Sequence, residues 1–401
     1  MIIQGGMVFQ EDGSFRRQEL YIEGHRIVSG QEQLTDCTVI DAEGLLVLPG
    51  LIDIHTHGAC GHDYCDGDME GLKAILRYER QHGITSCCPT SMTLPENSLK
   101  DIFSNIRSLG EYREGATVQG INMEGPFLDP VRKGAHKESC ILKPDPELFG
   151  RLNGYSGGRI RIMTLAPNAE GAMEFIREFH DQVCISLGHT SADYDTARTA
   201  MQQGAHHVTH LFNAMEPLGH RAPGLIGAAF DDPECMAELI CDGIHVHPSV
   251  VRAAFHMFGP ERMILISDSM MATGMEDGIY HLGGQLVQVQ NKKALLQDGT
   301  IAGSATNLFD CMKKAVSFGI PLKDAVFAAT RNPAKSIGIY HRTGSVTIGK
   351  EADLLLGMVY LAQNDISNAR TMFQNYVEAS VGDGDTKDGY SPAKGYNGLA
   401  L

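Results

Sequence analysis

Pro49-Gly-Leu-Ile-Asp53-Ile-His55-Thr-His57-Gly58 is the stretch on which the fold turns. An apolar run ends in two imidazoles two residues apart and then a glycine. In a β conformation residues i and i+2 face the same side, so His55 and His57 can reach one ion. A near-continuous apolar run of this length suits a strand buried on both faces. The same unit then recurs along the chain. Strands are predicted over 51–57, 84–89, 117–124, 160–166, 183–189, 207–212, 237–243 and 263–268, and amphipathic helices over 69–81, 171–181, 194–203, 250–258 and 307–318. Eight strands alternating with helices predict an α/β fold, a (β/α)8 TIM-like barrel over residues 51–343. A doubly wound sheet is the competing fold, but no Gly-rich dinucleotide loop follows the first strand.

The flanks read differently. Short β segments over 2–9, 15–22, 26–28 and 38–41 are too few to stand alone, and a matching piece returns at 344–356. Residues 1–50 and 344–376 are therefore expected to form one small β-sandwich domain built from both chain ends. A further strand is expected over 366–373, a hairpin insertion over 274–303, and an irregular Gly- and Asp-rich tail over 377–401.

Composition narrows the function. The 401 residues carry 33 Lys+Arg against 49 Asp+Glu, a net charge of −16, which argues against nucleic acid and anionic membranes as partners. A 43% hydrophobic share excludes an unfolded chain. The ten Cys are scattered, with Cys87 and Cys88 adjacent, unlike a secreted disulfide framework. Met1-Ile-Ile-Gln-Gly-Gly lacks a basic segment leading into an apolar stretch, and no apolar run approaches the roughly 20 residues of a membrane span. A reducing cytoplasm is the expected setting.

Barrel enzymes draw their catalytic groups from the C-terminal ends of the strands. Here those ends carry His55 and His57, then Glu124, His189, His210, His245 and Asp268. Each alone has a plain structural reading: a His-x-His pair can be packing, Glu124 can serve a turn, and Asp268 can cap a helix. His25, His180, His206, His207, His256 and His341 are read as structural. Together, imidazoles and carboxylates converging on one barrel mouth point to a divalent metal site, and the mixed N/O set suits Zn²⁺ or Fe²⁺. Asp268 is placed to take a proton from an attacking water and return it to a leaving group.

The motifs Glu124-Gly-Pro-Phe127, Lys133-Gly-Ala-His136, Leu187-Gly-His-Thr190, Thr209-His-Leu-Phe-Asn-Ala-Met215 and Asp242-Gly-Ile-His245 resemble the N-acetylglucosamine-6-phosphate deacetylases of the amidohydrolase superfamily. The resemblance implies a metal-dependent barrel with a β sandwich, a homodimer, and hydrolysis of N-acetyl-D-glucosamine 6-phosphate to D-glucosamine 6-phosphate and acetate in amino-sugar catabolism. It implies Glu124, His189 and His210 as principal metal ligands, His55 and His57 as ligands of a second ion, and Asp268 as catalytic acid and base. His136 falls to the sugar and amide carbonyl, and Asn213, Ala214, Arg221 and His245 to the phosphate, part of the set lent by the neighbouring subunit. The number of ions, one or two, stays open. So do the galacto epimer of the substrate and a metal-free scaffold of the same fold.

Overall fold

The structure, a computed structural model, describes residues 1–30, 37–360 and 372–378. Eight parallel strands form its centre: Leu51–Thr56, Ile84–Ser91, Ile121–Glu124 with Thr117–Val118 ahead of it, Ile160–Leu165, Cys184–Leu187, His207–Val208, Met236–Ile240 and Met263–Ile266. Each pairs in parallel with the next in chain order. The ring is drawn shut between the last strand and the first by Asp268 N–H on His55 O at 2.9 Å and His57 N–H on Ser269 O at 2.8 Å. The closing bonds thus belong to residues at the barrel mouth.

Consecutive residues of one strand serve two different cores, which is why the strands are apolar throughout. Cys88, Ile162, Ile240 and Ile266 join one buried cluster with Ile337 and Ile339. Their neighbours Cys87, Met163, Leu239 and Leu265 join a second, larger one with helix residues Ile75, Phe103, Phe175 and Val251. The helix Met69–Gln81 has the predicted bounds, because the Asp68 carboxylate accepts from the Glu70 and Gly71 amides at its start. The helix predicted over 250–258 begins earlier, at Pro248: the His247 ring caps the Ser249 amide, and proline fits the first turn.

Six of the eight strands stop short of their predicted ends. His189, His210 and Asp268 each lie just past a strand with φ of +47°, +29° and +49°. A left-handed backbone at non-glycine residues is costly and marks sites held by their surroundings.

The predicted segments 2–9 and 15–22 each break into two strands. Ile2–Gln4 joins a four-stranded sheet with Leu20–Glu23, Arg26–Val28 and Val39–Asp41. Met7–Phe9 crosses to a five-stranded sheet with Phe15–Arg17, Leu46–Pro49, Leu354–Tyr360 and Met372–Glu378. Gly5, at φ +81°, makes the switch possible. Between the sheets lies a core of its own, with Ile3, Val8, Ile22, Val47, Leu354 and Leu356. Of the strand expected over 366–373, residues 366–371 lie outside the described residues, and a strand runs over Met372–Glu378. Beyond Glu378 the expected tail lies outside the described residues.

The insertion forms three antiparallel strands, Gly278–Leu282, Gln285–Gln290 and Lys293–Leu295, rather than a hairpin. Its buried face, with Leu282, Val287 and Ala294, packs on Met92, Ala135 and Met270 beside the barrel mouth.

Candidate active site

Glu124 stands at the centre of the mouth, at the last position of the third strand and 2% exposed. The chain turns sharply after it. Gly125 sits at φ +80°, and a Cβ there would meet Thr93 Oγ1 at 2.1 Å, so any other residue is strained by its backbone and must shift that side chain. Around Glu124 the strands deliver four imidazoles. His189 and His210 place their Nε2 atoms 3.1 and 3.0 Å from Oε1, and 3.0 Å from each other. His57 Nε2 lies 3.3 Å from Oε2, and His55 Nε2 lies 3.5 Å from Oε1. Asp268 Oδ1 comes within 3.2 Å of His57 and 3.6 Å of His55.

The hydrogen bonds assign protons within this cluster. His189 Nδ1 donates to the Arg132 carbonyl at 3.0 Å, which leaves the lone pair on Nε2. Burial holds His189 down at about 4, against the raising pull of Glu124, so the ring is neutral at pH 7. A neutral imidazole therefore turns its lone pair toward a carboxylate oxygen 3.1 Å away, which is repulsive unless a cation lies between them. At metal–ligand distances of about 2.0–2.1 Å, tetrahedral ligands stand about 3.3 Å apart, close to the separations found here. His55 Nε2 and His210 Nδ1 are buried without a hydrogen-bond partner. The residues fit a divalent metal. His55, His57 and Glu124 form one possible set, and Glu124 with His189 and His136 another.

His136 belongs to the second set by distance, but its chemistry differs. The Thr93 amide can only donate, and it donates to His136 Nδ1 at 3.1 Å. The proton must then sit on Nε2, which faces Glu124 Oε2 at 3.3 Å. His136 is a hydrogen-bond donor aimed into the site rather than a ligand.

Charge follows the same geometry. Burial raises the Glu124 carboxyl, yet the facing His55 and His136 outweigh it and hold it well below its usual value. For His57 burial favours the neutral ring, but hydrogen bonding to Asp268 and Glu124 pushes it up to about 9. Asp268, raised by burial, is brought down to about 2 by His57, His55 and His210. The mouth thus sets ionised Glu124 and Asp268 against a protonated His57 ring, an arrangement in which a bound metal cation would take the place of the proton.

A cavity of about 340 Å³ opens over these groups. His57, Glu124, His136, His189, His210 and Asp268 line its floor, and Asn213, Ala214 and His245 line its side. His245 Nδ1 lies 2.7 Å from Asp242 Oδ2; burial disfavours its charged form, but that carboxylate raises its pKa overall. Arg221 does not join them. It is exposed on the segment leading to the helix Gly224–Asp231 and does not line the cavity of its own chain.

Residues 46–375 match the amidohydrolase family. This chain belongs to the amidohydrolase family. As an amidohydrolase it is 41% identical over 317 residues to N-acetylglucosamine-6-phosphate deacetylase of Bacillus subtilis (strain 168), covering 78% of this chain and 80% of the relative. It is 31% identical to N-acetylgalactosamine-6-phosphate deacetylase of Escherichia coli O157:H7, over 88% of this chain and 94% of the relative. Among solved structures, N-acetylglucosamine-6-phosphate deacetylase from Pasteurella multocida superposes with a TM-score of 0.82 at 29% identity, over 88% of this chain and 94% of that one.

Two residues that hold the site's imidazoles in this amidohydrolase escape the strand-end reading. Glu238 lies inside the seventh strand, and its Oε2 holds His55 Nδ1 at 2.9 Å. A lone carboxylate in the apolar run Met236–Ile240 was the available signal. Arg132 lines the cavity with its side chain on Glu216, Nε to Oε1 at 3.0 Å, while its carbonyl holds His189. Its only signal was its place just before Lys133-Gly-Ala-His136.

Proposed function

We propose that this amidohydrolase hydrolyses the N-acetyl group of N-acetyl-D-glucosamine 6-phosphate, releasing D-glucosamine 6-phosphate and acetate. The observation that carries the reading is the juxtaposition at one cavity floor of the Glu124 and imidazole cluster with Asp268. A divalent metal held by Glu124, His189 and His210, with His55 and His57 for a second ion, supplies Lewis acidity toward water and the amide carbonyl. Asp268, kept ionised, takes the proton of the attacking water and passes it to the amine nitrogen, a poor leaving group until protonated. His136 Nε2–H donates to the carbonyl oxygen as negative charge grows on it. His245 lends positive charge to the phosphate, and the Ala214 N–H, which has no protein partner among the described residues, offers a donor beside it.

Zn²⁺ or Fe²⁺ is the proposed metal, supported by the mixed imidazole and carboxylate donors. A homodimer is proposed because Arg221, outside its own cavity, is exposed and available to a neighbouring subunit. Ten free cysteines support a reducing, cytoplasmic setting. No helix among the described residues is long and apolar enough to cross a membrane. Residues 1–50 with 344–376 are proposed as a second folding unit beside the 51–343 barrel, supported by the separate core between their two sheets.

Acetate release from a panel of N-acetylhexosamine 6-phosphates and their unphosphorylated forms tests the activity. The gluco phosphate should be turned over fastest. A faster galacto epimer would reassign the substrate, equal rates without phosphate would remove the anion site, and a purified chain with neither metal nor turnover would be a scaffold.

A further inference from the structure

Glu238 is a fully buried carboxylate in a barrel strand, and its bonding is concentrated on one oxygen. Oε2 meets His55 Nδ1 at 2.9 Å and accepts the His210 backbone N–H at 3.1 Å. Oε1 has no hydrogen-bond partner, because the nearby His207 Nδ1 is 4.0 Å away and engaged with Ser186 Oγ at 2.9 Å. To ligate a metal through Nε2 the His55 ring must be neutral, and a neutral imidazole donates from one nitrogen only. With that proton on Nδ1 and directed at Glu238, the His55 lone pair stands on Nε2, the atom that faces Glu124 and Asp268 without a hydrogen bond of its own. His57 has no equivalent anchor, since its Nδ1 is buried and unpartnered. Of the two first-strand rings, only His55 is thus fixed in tautomer and plane from behind.

We propose that Glu238 is a positioning residue: through the His55 ring it makes the first-strand side of the site competent to retain a metal ion. It touches neither substrate nor reacting atoms. The inference rests on the metal-dependent reading above, and the two can fail separately.

The test compares wild type, His55→Ala, Glu238→Leu and Glu238→Gln, each loaded with Zn²⁺ and challenged with a chelator, with bound metal counted by plasma mass spectrometry. Melting of the chelated proteins is followed in parallel. Glu238→Leu removes the acceptor at similar volume and should match His55→Ala, weakening metal retention about 10–100-fold. Glu238→Gln keeps an acceptor oxygen and should recover most of that loss, although it melts no differently from Glu238→Leu in the chelated state. Glu238→Leu with wild-type retention overturns the proposal, and so does a wild-type chain whose metal is indifferent to His55→Ala. Should Glu238→Leu not fold, ¹⁵N-histidine spectra of the metal-loaded wild type decide instead: the His55 ring must carry its proton on Nδ1, and a proton on Nε2 defeats the idea. A wild-type chain that retains no metal defeats the metal-dependent reading itself.

Discussion

The two pairs of imidazoles around Glu124 are built on opposite principles. His55 and His57 sit at the end of one strand, where β geometry alone puts them on the same side. They are hemmed in by the carboxylates of Glu124, Glu238 and Asp268, and His57 is pushed up to about 9. His189 and His210 come from two separate strands, each just past its end in a left-handed backbone conformation, and meet nitrogen to nitrogen at 3.0 Å. His189 is anchored by a main-chain carbonyl and stays neutral. One pair is cheap in conformation and rich in charge. The other is strained, with His189 held neutral, a ready-made ligand set that only a cation makes comfortable.

Substitutions can break or sharpen that contrast. The largest effect should follow Glu124→Ala, which removes the one residue shared by both pairs: bound metal and acetate release should fall together to background. Asp268→Asn should lower turnover by about 10²–10⁴-fold while leaving metal content intact; metal analysis beside initial rates checks it, and near-normal turnover would remove Asp268 from proton transfer. A third comparison sets His189→Ala against His57→Ala. Loss of the strained pair's member should cost more metal and more rate, and equal losses would erase the distinction drawn here. His245→Asn should act on neither pair, raising KM for the phosphorylated sugar about 10-fold, the size expected for a lost charged hydrogen bond, while rates on the unphosphorylated sugar stay unchanged.

The smallest effect lies outside the mouth. Asp353 is a partly buried carboxyl facing a hydroxyl, Thr343 Oγ1 at 2.9 Å, instead of an imidazole. Burial, only partly countered by that bond, pushes it up to about 6. Because the folded state holds this proton more tightly than the unfolded one, its contribution to stability is greatest below about pH 4 and declines as pH rises toward 6. Asp353→Asn should therefore flatten denaturant-melt stability across that range and add about 1 kcal/mol at pH 7.

The strands, their order and the ring of chemistry at their ends were legible because each depends on local rules: apolar runs, a period of two, and the position of a residue after a run. His55, His57, Glu124 and Asp268 are found that way. The backbone turn at His189 and His210 was not, since nothing in their sequence spacing demands a positive φ; contacts from neighbouring strands impose it. Glu238 was hidden for a related reason. A carboxylate inside a strand acquires meaning only when the barrel closes and brings it against a ring 183 residues away. Arg221 stands apart, as a motif position whose chain neighbours enter the cavity while it does not. The division of 2–9 between two sheets turns on Gly5, a freedom that sequence permits but does not require.

The pairing of Leu46–Pro49 with Leu354–Tyr360 carries a consequence for biosynthesis. The strand that leads directly into the barrel leaves the ribosome some 300 residues before its antiparallel partner. At typical rates of about 5–20 residues per second, that edge waits for tens of seconds with its backbone groups unpaired. Until that partner arrives, the 46–49 strand is a sticky edge, and chaperone capture of the nascent chain would be most needed there.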